Sequence, residues 1–299
     1  RGFILPTDPA FLTGTMPPSL RRTGRALAVV VIVAAAALAA ASGAWAGELA
    51  PHRAVYQLGK GALRPGQAVA AVSGAMTIEI DESCDGWSLS QRIRMSITDN
   101  MGDDIESDSR YASFEAKDGT LLRFQASDWQ DGNLVEETAG TAERPAADRP
   151  GVARFVKPEK QNFDLPAGAL FPVAFNVELL NRLDDGQPFA GLHGFDGGNL
   201  EGAYSITVFV GKERPSELKV PPKGEAAEDG REKLVGGKVR NVRVAYFPLA
   251  GNAPEPELEY EMELQANGVS PVMRLDYQRY QVLARLVEIK ALPRPSCQR

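Results

Sequence analysis

The chain has 299 residues and a net charge of −6 at pH 7, with only two histidines and two cysteines. This acidic balance argues against nucleic acid and against anionic lipid surfaces as primary partners. The shortage of histidine and cysteine argues against a structural zinc site, and we expect neither a metal nor a cofactor.

The first residues have the pattern of a secretory signal peptide. Arg21, Arg22 and Arg25 precede an uncharged apolar run over residues 26–41. The small residues of Ala44-Trp45-Ala46 then predict cleavage after Ala46. The expected organisation is an N-terminal extension and signal peptide over residues 1–46, followed by one exported domain over residues 47–299. An uncleaved anchor is the alternative, but the run is shorter than the roughly 20 residues of a membrane span. After cleavage we expect no membrane-spanning segment.

The rest of the chain alternates polar and apolar residues with a period of two, which is typical of β-strands with one buried face. Roughly a dozen such runs are separated by turn residues, among them Asp118-Gly119, Asp131-Gly132 and Asn267-Gly268. Short strands with close turns favour an antiparallel barrel or sandwich over a fold that alternates strands and helices. The clearest runs are Thr77–Ile80, Trp87–Ile97, Tyr204–Val210, Val242–Phe247, Tyr260–Gln265, Val272–Tyr277 and Tyr280–Ile289.

One segment departs from this pattern. Apolar residues recur with helical spacing from Val173 to Leu183, directly after Pro172, which suits a first helical turn. We therefore predict one α-helix over about residues 173–183. Residues 143–150 and 213–232, which are rich in proline and charge, are predicted to be exposed loops.

Cys84 and Cys297 both follow the predicted cleavage site and are far apart in sequence. In an exported protein such a pair suggests one disulfide that ties the C-terminal tail to an early strand. The alternative, a redox-active dithiol, is disfavoured because the two cysteines do not form a C-x-x-C motif.

No residue pattern indicates catalysis. A Ser-His-Asp mechanism needs a histidine beside a nucleophile, and only His52 and His193 are available. The acidic segment over residues 99–108 lacks the ligand spacing of a calcium loop and is better explained as a solvated hairpin. We therefore predict no catalytic residues, although paired carboxylates of a hydrolase remain an open alternative. Trp87, Trp129 and several phenylalanines could instead line an apolar binding surface.

Several short motifs resemble the EipB family of cell-envelope integrity proteins from alphaproteobacteria. They extend in order across nearly the whole predicted mature chain, and the cysteine positions make the match more specific. The matching segments are residues 49–56 (LAPHRAVY), residues 83–87 (SCDGW), residues 170–172 (LFP), residues 195–197 (FDG) and the late Cys297.

The resemblance implies a periplasmic, antiparallel, spiral-like broken β-barrel crossed by one helix, with a disulfide between the matching cysteines. It also implies a non-catalytic role in cell-envelope integrity. Our leading hypothesis is that the protein binds another envelope component. The expected partner is a periplasmic protein, for which a repeat-type scaffold is one candidate, and lipid or peptidoglycan is an alternative ligand. A lipid or lipoprotein carrier and, less favoured, a carboxylate-dependent envelope hydrolase are the rival functions.

Overall fold

The structure is a computed structural model of the full chain. It describes residues 48–62, 69–183, 188–218, 234–249, 255–277 and 280–297. The predicted signal peptide and its cleavage site at Ala46 lie outside the described residues, as does most of the predicted loop over residues 213–232.

The described part of the chain contains one α-helix, α1, and fourteen β-strands. In chain order they are β1 (His52–Lys60), β2 (Val69–Glu82), β3 (Gly86–Asp99), β4 (Asp104–Ala116), β5 (Leu121–Gln130), β6 (Asn133–Glu143), β7 (Gly151–Lys157), β8 (Gln161–Leu165), α1 (Pro172–Arg182), β9 (Phe189–Gly194), β10 (Tyr204–Arg214), β11 (Val239–Pro248), β12 (Leu258–Leu264), β13 (Val272–Asp276) and β14 (Gln281–Ala291).

All fourteen strands belong to one antiparallel sheet. Its order is β8-β7-β6-β5-β4-β3-β2-β1-β14-β13-β12-β11-β10-β9, so the first and last strands pair in the middle. The edge strands are β8 and β9, which precede and follow α1. No ladder joins these two edges within the described residues; an isolated bridge links Leu170, just before the helix, to Gly194 at the end of β9. The sheet is therefore curled without being closed into a barrel.

The helix packs on the concave face of the sheet. Its buried side chains are Val173, Phe175, Leu179 and Leu180, and they join a large apolar core formed mainly by β1–β3 and β10–β14. This arrangement follows from the sequence, because alternate strand residues point inward and α1 covers them with its apolar side.

A second, smaller core lies under β5–β8. We call it the phenylalanine cluster, and its rings are those of Phe124, Phe155, Phe163, Phe171 and Phe195. The rings pack edge to face, with centroids 4.9 Å apart for Phe124 and Phe155 and 5.6 Å apart for Phe124 and Phe195. Phe171 precedes α1 and Phe195 follows β9, so the segments flanking the helix and the edge strand fill this part of the sheet.

These observations confirm the mainly β fold with one helix and show a broken barrel. The helix, predicted over residues 173–183, spans Pro172–Arg182. The turn at Asp131-Gly132 has positive φ at both residues, 51° and 77°, as the sequence pair predicts. The connection between β6 and β7 differs from a simple exposed loop, because Arg144 within it is only 7% exposed.

Candidate functional site

The concave face of the sheet contains a cavity of about 450 Å³. Its walls come from strands on both sides of the sheet centre and from the first turn of α1. One side is aliphatic, with side chains of β2 and β3, namely Met76, Ile78, Ile80, Leu89 and Ile93. A volume of this size is in the range of ligand-binding pockets, roughly 300–1,000 Å³.

The cavity is also rich in tyrosine, and its tyrosine-rich side is formed by Tyr204, Tyr246 and Tyr260 on β10, β11 and β12. Six of the seven tyrosines of the chain line the cavity, namely Tyr56, Tyr111, Tyr204, Tyr246, Tyr260 and Tyr277. The seventh, Tyr280, stacks on Tyr277 with a centroid distance of 5.2 Å. By contrast, Trp87 and Trp129, suggested by the sequence as binding aromatics, are not among the lining residues.

Three of these rings form a compact group that we call the tyrosine cluster: Tyr204, Tyr246 and Tyr260. The centroids of Tyr204 and Tyr246 are 5.9 Å apart with nearly perpendicular rings, and those of Tyr246 and Tyr260 are 6.0 Å apart. The hydroxyl oxygens of Tyr246 and Tyr260 are 3.3 Å apart. Burial raises the pKa of Tyr260 to about 12, and it also raises the pKa of Tyr246 well above its usual range. The phenols are therefore neutral at physiological pH.

Asp196 brings a carboxylate to the tyrosine-rich side. It follows β9, and its backbone carbonyl accepts a hydrogen bond from the Tyr111 hydroxyl at 2.8 Å. Its Oδ1 accepts one from the backbone N–H of Gly198 at 2.8 Å. Burial raises the pKa of Asp196, and its own backbone N–H and that of Gly198 oppose this shift. The charge of Asp196 in turn helps to raise the pKa values of all three members of the tyrosine cluster.

The helix end at the cavity is held by a buried pair of opposite charges. The Glu115 carboxylate accepts hydrogen bonds from the backbone N–H groups of Val173 and Ala174 at 2.7 and 2.9 Å. Burial raises the pKa of Glu115 to about 7, although these two bonds and the charge of Arg144 oppose the shift. The Arg144 guanidinium donates to the carbonyls of Gly119 and Ala169 and lies 4.4 Å above the Phe171 ring.

The two histidines occupy different places. His52 is buried at the cavity wall, where its Nδ1 lies 2.7 Å from the Ala50 carbonyl oxygen. Burial lowers the pKa of His52, so the ring is neutral at pH 7. His193 lies on β9 opposite Ser205 and does not line the cavity. Within the described residues, neither imidazole hydrogen-bonds to a side chain, and no group of three or more His, Cys, Asp or Glu is placed to hold a metal ion.

The predicted disulfide residues come together at the turn between β2 and β3. The Sγ atoms of Cys84 and Cys297 are 2.08 Å apart, which is disulfide distance, and their Cα atoms are 5.6 Å apart. The tail has polar anchors as well, which the sequence did not indicate. The Arg294 guanidinium lies 3.0 Å from a carboxylate oxygen of Glu82 and 2.8 Å from one of Glu48, and it donates to the Leu49 carbonyl at 3.0 Å.

Across the described ranges, no helix has the length and apolar character that a membrane crossing requires.

Comparison with known proteins identifies the family. A model of the EipB-like family matches residues 43–293. The cell envelope integrity protein EipB of Brucella abortus is 27% identical over 257 residues, which cover 84% of this chain and 87% of that protein. The crystal structure of a β-barrel-like protein of a domain of unknown function from Brucella abortus superposes with a TM-score of 0.69 at 25% identity. The match covers 82% of this chain and 99% of that structure. The chain therefore belongs to the EipB-like family.

Proposed function

We propose that this protein is a non-catalytic periplasmic binding protein that maintains cell-envelope integrity by holding another envelope component in the cavity of its curled sheet. The cavity is the observation on which the proposal depends. Its walls combine aliphatic side chains, neutral phenols and the carboxylates of Asp128 and Asp196, which suits a ligand with an apolar body and a polar group. The name of the Brucella abortus relative supports the role in the envelope.

The periplasmic location and the single domain over residues 47–299 are parts of this proposal. They agree with the apolar run over residues 26–41 and with the placement of Cys84 and Cys297 at disulfide distance. A periplasmic protein partner would act with the bound ligand, either by delivering it or by receiving it.

Native mass spectrometry of protein purified from its own periplasm without detergent tests the proposal. We expect a population that is heavier than the apo mass and that loses the extra mass on denaturation. A variant with an occluded cavity, Ile93→Trp, should be purified in parallel and should lose the adduct. Its outward-facing neighbour Arg94→Gln is the control and should keep it. A clean apo mass for the parent protein under these conditions would contradict the proposal.

A lipid or lipoprotein carrier is the second candidate function, and the aliphatic wall formed by β2 and β3 favours it. In that case the adduct should extract into organic solvent and contain acyl chains. A hydrolase that uses the carboxylates Asp128 and Asp196 of the cavity would turn over peptidoglycan fragments, and that turnover should disappear in Asp196→Asn.

A further inference from the structure

The rings of the tyrosine cluster line the cavity and are inclined to one another. The rings of Tyr204 and Tyr246 are almost perpendicular, at 88°, whereas those of Tyr246 and Tyr260 meet at 34°. Phe175 on α1 adds a fourth ring, with its centroid 6.1 Å from that of Tyr246. All four rings line the cavity, and the electron-rich faces of aromatic rings attract organic cations.

Asp196 supplies a negative charge that the protein does not neutralise. Among the described residues, no basic side chain forms an ion pair with it, and its hydrogen bonds come from backbone N–H groups. Three exposed carboxylates, which we call the acidic rim, lie close by: Glu136, Glu201 and Glu257. Partial desolvation and a hydrogen bond with Glu201 raise the pKa of Glu257 to about 7, and the charges of Glu201, Asp196 and Glu136 add to this effect. The region therefore has a negative potential.

The basic groups that line the cavity do not cancel this potential. His52 is neutral because its burial lowers its pKa. Arg110 lines the cavity but donates two hydrogen bonds to the Asp108 carboxylate, at 2.8 and 3.3 Å. Lysine is absent from the lining. The cavity thus offers neutral aromatic faces and a carboxylate without a counter-ion, which is the chemistry that recognises an organic ammonium group.

We propose that the tyrosine side of the cavity binds an organic ammonium group, which sits against the faces of Tyr204, Tyr246 and Tyr260 with Asp196 as its counter-ion. This inference rests on the proposed function, because it names the polar end of the envelope component that the cavity holds. The aliphatic wall formed by β2 and β3 takes the apolar body of the same ligand. A metal ion fits poorly, because the described residues place no group of metal-binding side chains together.

The first experiment measures the affinities of two pairs of ligands by isothermal titration calorimetry on the oxidised protein. Each pair consists of a cation and a neutral counterpart. Choline is compared with its neutral isostere, in which a tert-butyl group replaces the trimethylammonium group. Hexyltrimethylammonium is compared with hexanol, so that the aliphatic wall is also occupied. We expect each cation to bind at least about 10-fold more tightly than its neutral counterpart, and hexyltrimethylammonium to bind more tightly than choline.

A further pair of ligands distinguishes two sources of the ammonium group. Hexyltrimethylammonium represents an ammonium compound that has no phosphate. A short-chain phosphatidylcholine below its micelle concentration represents a lipid headgroup. Preference for the free cation is expected, since the acidic rim repels the phosphate of the lipid. Binding of either one in preference to its neutral counterpart supports the inference, and the stronger of the two identifies the source.

Single substitutions then test which side chains contact the ammonium group. Asp196→Asn keeps the acceptor for the Gly198 N–H and removes only the charge, so it should lower cation affinity by about 10-fold and leave hexanol binding unchanged. Asp128→Asn, also at the cavity but beside Tyr277, is the matched control and should have a smaller effect. Tyr260→Leu should weaken cation binding by about 2- to 30-fold, whereas Tyr260→Phe keeps the aromatic face and should restore most of it. Unfolding midpoints confirm that each variant is folded.

The outcomes distinguish failure of the ammonium site from failure of the cavity as a binding site. A cation preference that disappears in Asp196→Asn supports the ammonium site. Equal affinities for charged and neutral ligands, or an unchanged preference in Asp196→Asn, overturn the ammonium site while leaving the cavity as a binding site. If none of the probes binds, the ammonium site is also overturned, and the native mass measurement then decides separately whether the cavity holds any ligand.

Discussion

The two aromatic groups of this protein differ in a way that separates packing from binding. The phenylalanine cluster is closed: Phe155 is 2% exposed, and a Cβ added at Gly197 would lie 2.3 Å from the Phe124 ring. The tyrosine cluster lines a cavity of about 450 Å³ and faces Asp196. Phenylalanine can fill a dry interior because it has no polar atom to satisfy, whereas buried tyrosine needs a partner for its hydroxyl.

The helix connects these two regions. Phe171, directly before α1, packs in the phenylalanine cluster, and Phe175, one turn later, contacts Tyr246 of the tyrosine cluster. The closed cluster thus fixes the helix, and the helix forms one wall of the cavity. From this we infer that changes to the phenylalanine cluster should reduce stability, and that changes to the tyrosine cluster should alter ligand binding with little loss of stability.

Removal of the disulfide between Cys84 and Cys297 should cause the largest loss of stability. The disulfide belongs to neither cluster, and it constrains the unfolded chain. The two residues are 213 positions apart, and the chain-entropy model gives about 5 kcal/mol for so long a loop. Denaturant titrations with and without reductant should show this loss, with phenylalanine and tyrosine near-ultraviolet signals disappearing together. The double variant Cys84→Ser/Cys297→Ser is the control and should not respond to reductant. Two reactive thiols in native, unreduced protein would show that no disulfide forms.

Phe155→Ala tests the closed region itself. Truncation of a buried phenylalanine costs about 3–5 kcal/mol, because burial is lost and a cavity remains. We expect a corresponding decrease in the denaturant midpoint, while the fraction that is still folded keeps its ligand affinity. The neighbouring Val156→Ala is the matched control, since Val156 is 60% exposed and should change stability by less than about 0.5 kcal/mol. A loss below about 1 kcal/mol for Phe155→Ala would mean that the phenylalanine cluster is not tightly packed.

The architecture was largely predictable from the sequence, because the signal is local. Alternation from Trp87 to Ile97 falls within β3, and helical spacing after Pro172 marks α1. The pairing of β1 with β14 was not predictable from these patterns, since it joins the two ends of the domain. The strands β7 and β8 were also not identified. In β7 the apolar Val156 is 60% exposed and obscures the alternation, and β8 has only five residues.

The candidate site was much less predictable. Its tyrosines are spread from Tyr56 to Tyr280 in sequence, and only the curling of the sheet brings them to one side of a cavity. The sequence indicated Trp87 and Trp129 as candidate binding aromatics instead, but they do not line the cavity. Five tyrosines on strand positions that face the cavity were the available signal. A phenol at a position that a phenylalanine could fill indicates a need for a hydroxyl in the interior.

Glu115 tests whether the helix couples the two regions. The pKa of this carboxyl is raised from 4.5 to about 7, so the folded protein binds one more proton than the unfolded chain between these pH values. Its contribution to stability is therefore greatest below about pH 4.5 and decreases as the pH rises to about 7, by up to roughly 3 kcal/mol. Glu115→Gln should remove this slope from the difference between the parent and variant stability profiles. Parallel profiles over this pH range would contradict the assignment.

Glu115→Gln also tests whether the packing of the phenylalanine cluster affects ligand binding at the tyrosine cluster. If the helix transmits the packing of one cluster to the other, loosening its first turn should increase proteolysis near Pro172 and also weaken ligand binding in the cavity. Glu159→Gln, on the exposed turn between β7 and β8, controls for the loss of one negative charge. Unchanged ligand affinity in Glu115→Gln would mean that the two aromatic regions are independent.

The smallest stability effect is expected at the tyrosine cluster. Tyr260→Phe removes a hydroxyl that lies 3.3 Å from that of Tyr246, and the net value of such a bond is about 0.5–1.5 kcal/mol. Because the cavity leaves space beside Tyr246, its hydroxyl can be solvated, and we expect a loss at the lower end of this range by denaturant titration. The reverse exchange, Phe155→Tyr, places a hydroxyl in the closed cluster at a ring that does not line the cavity, and it should cost more, about 1–3 kcal/mol for overpacking. The distinction between a packed region and a binding region requires that only the tyrosine side has room for a polar group. Equal losses of stability for the two exchanges would therefore contradict it.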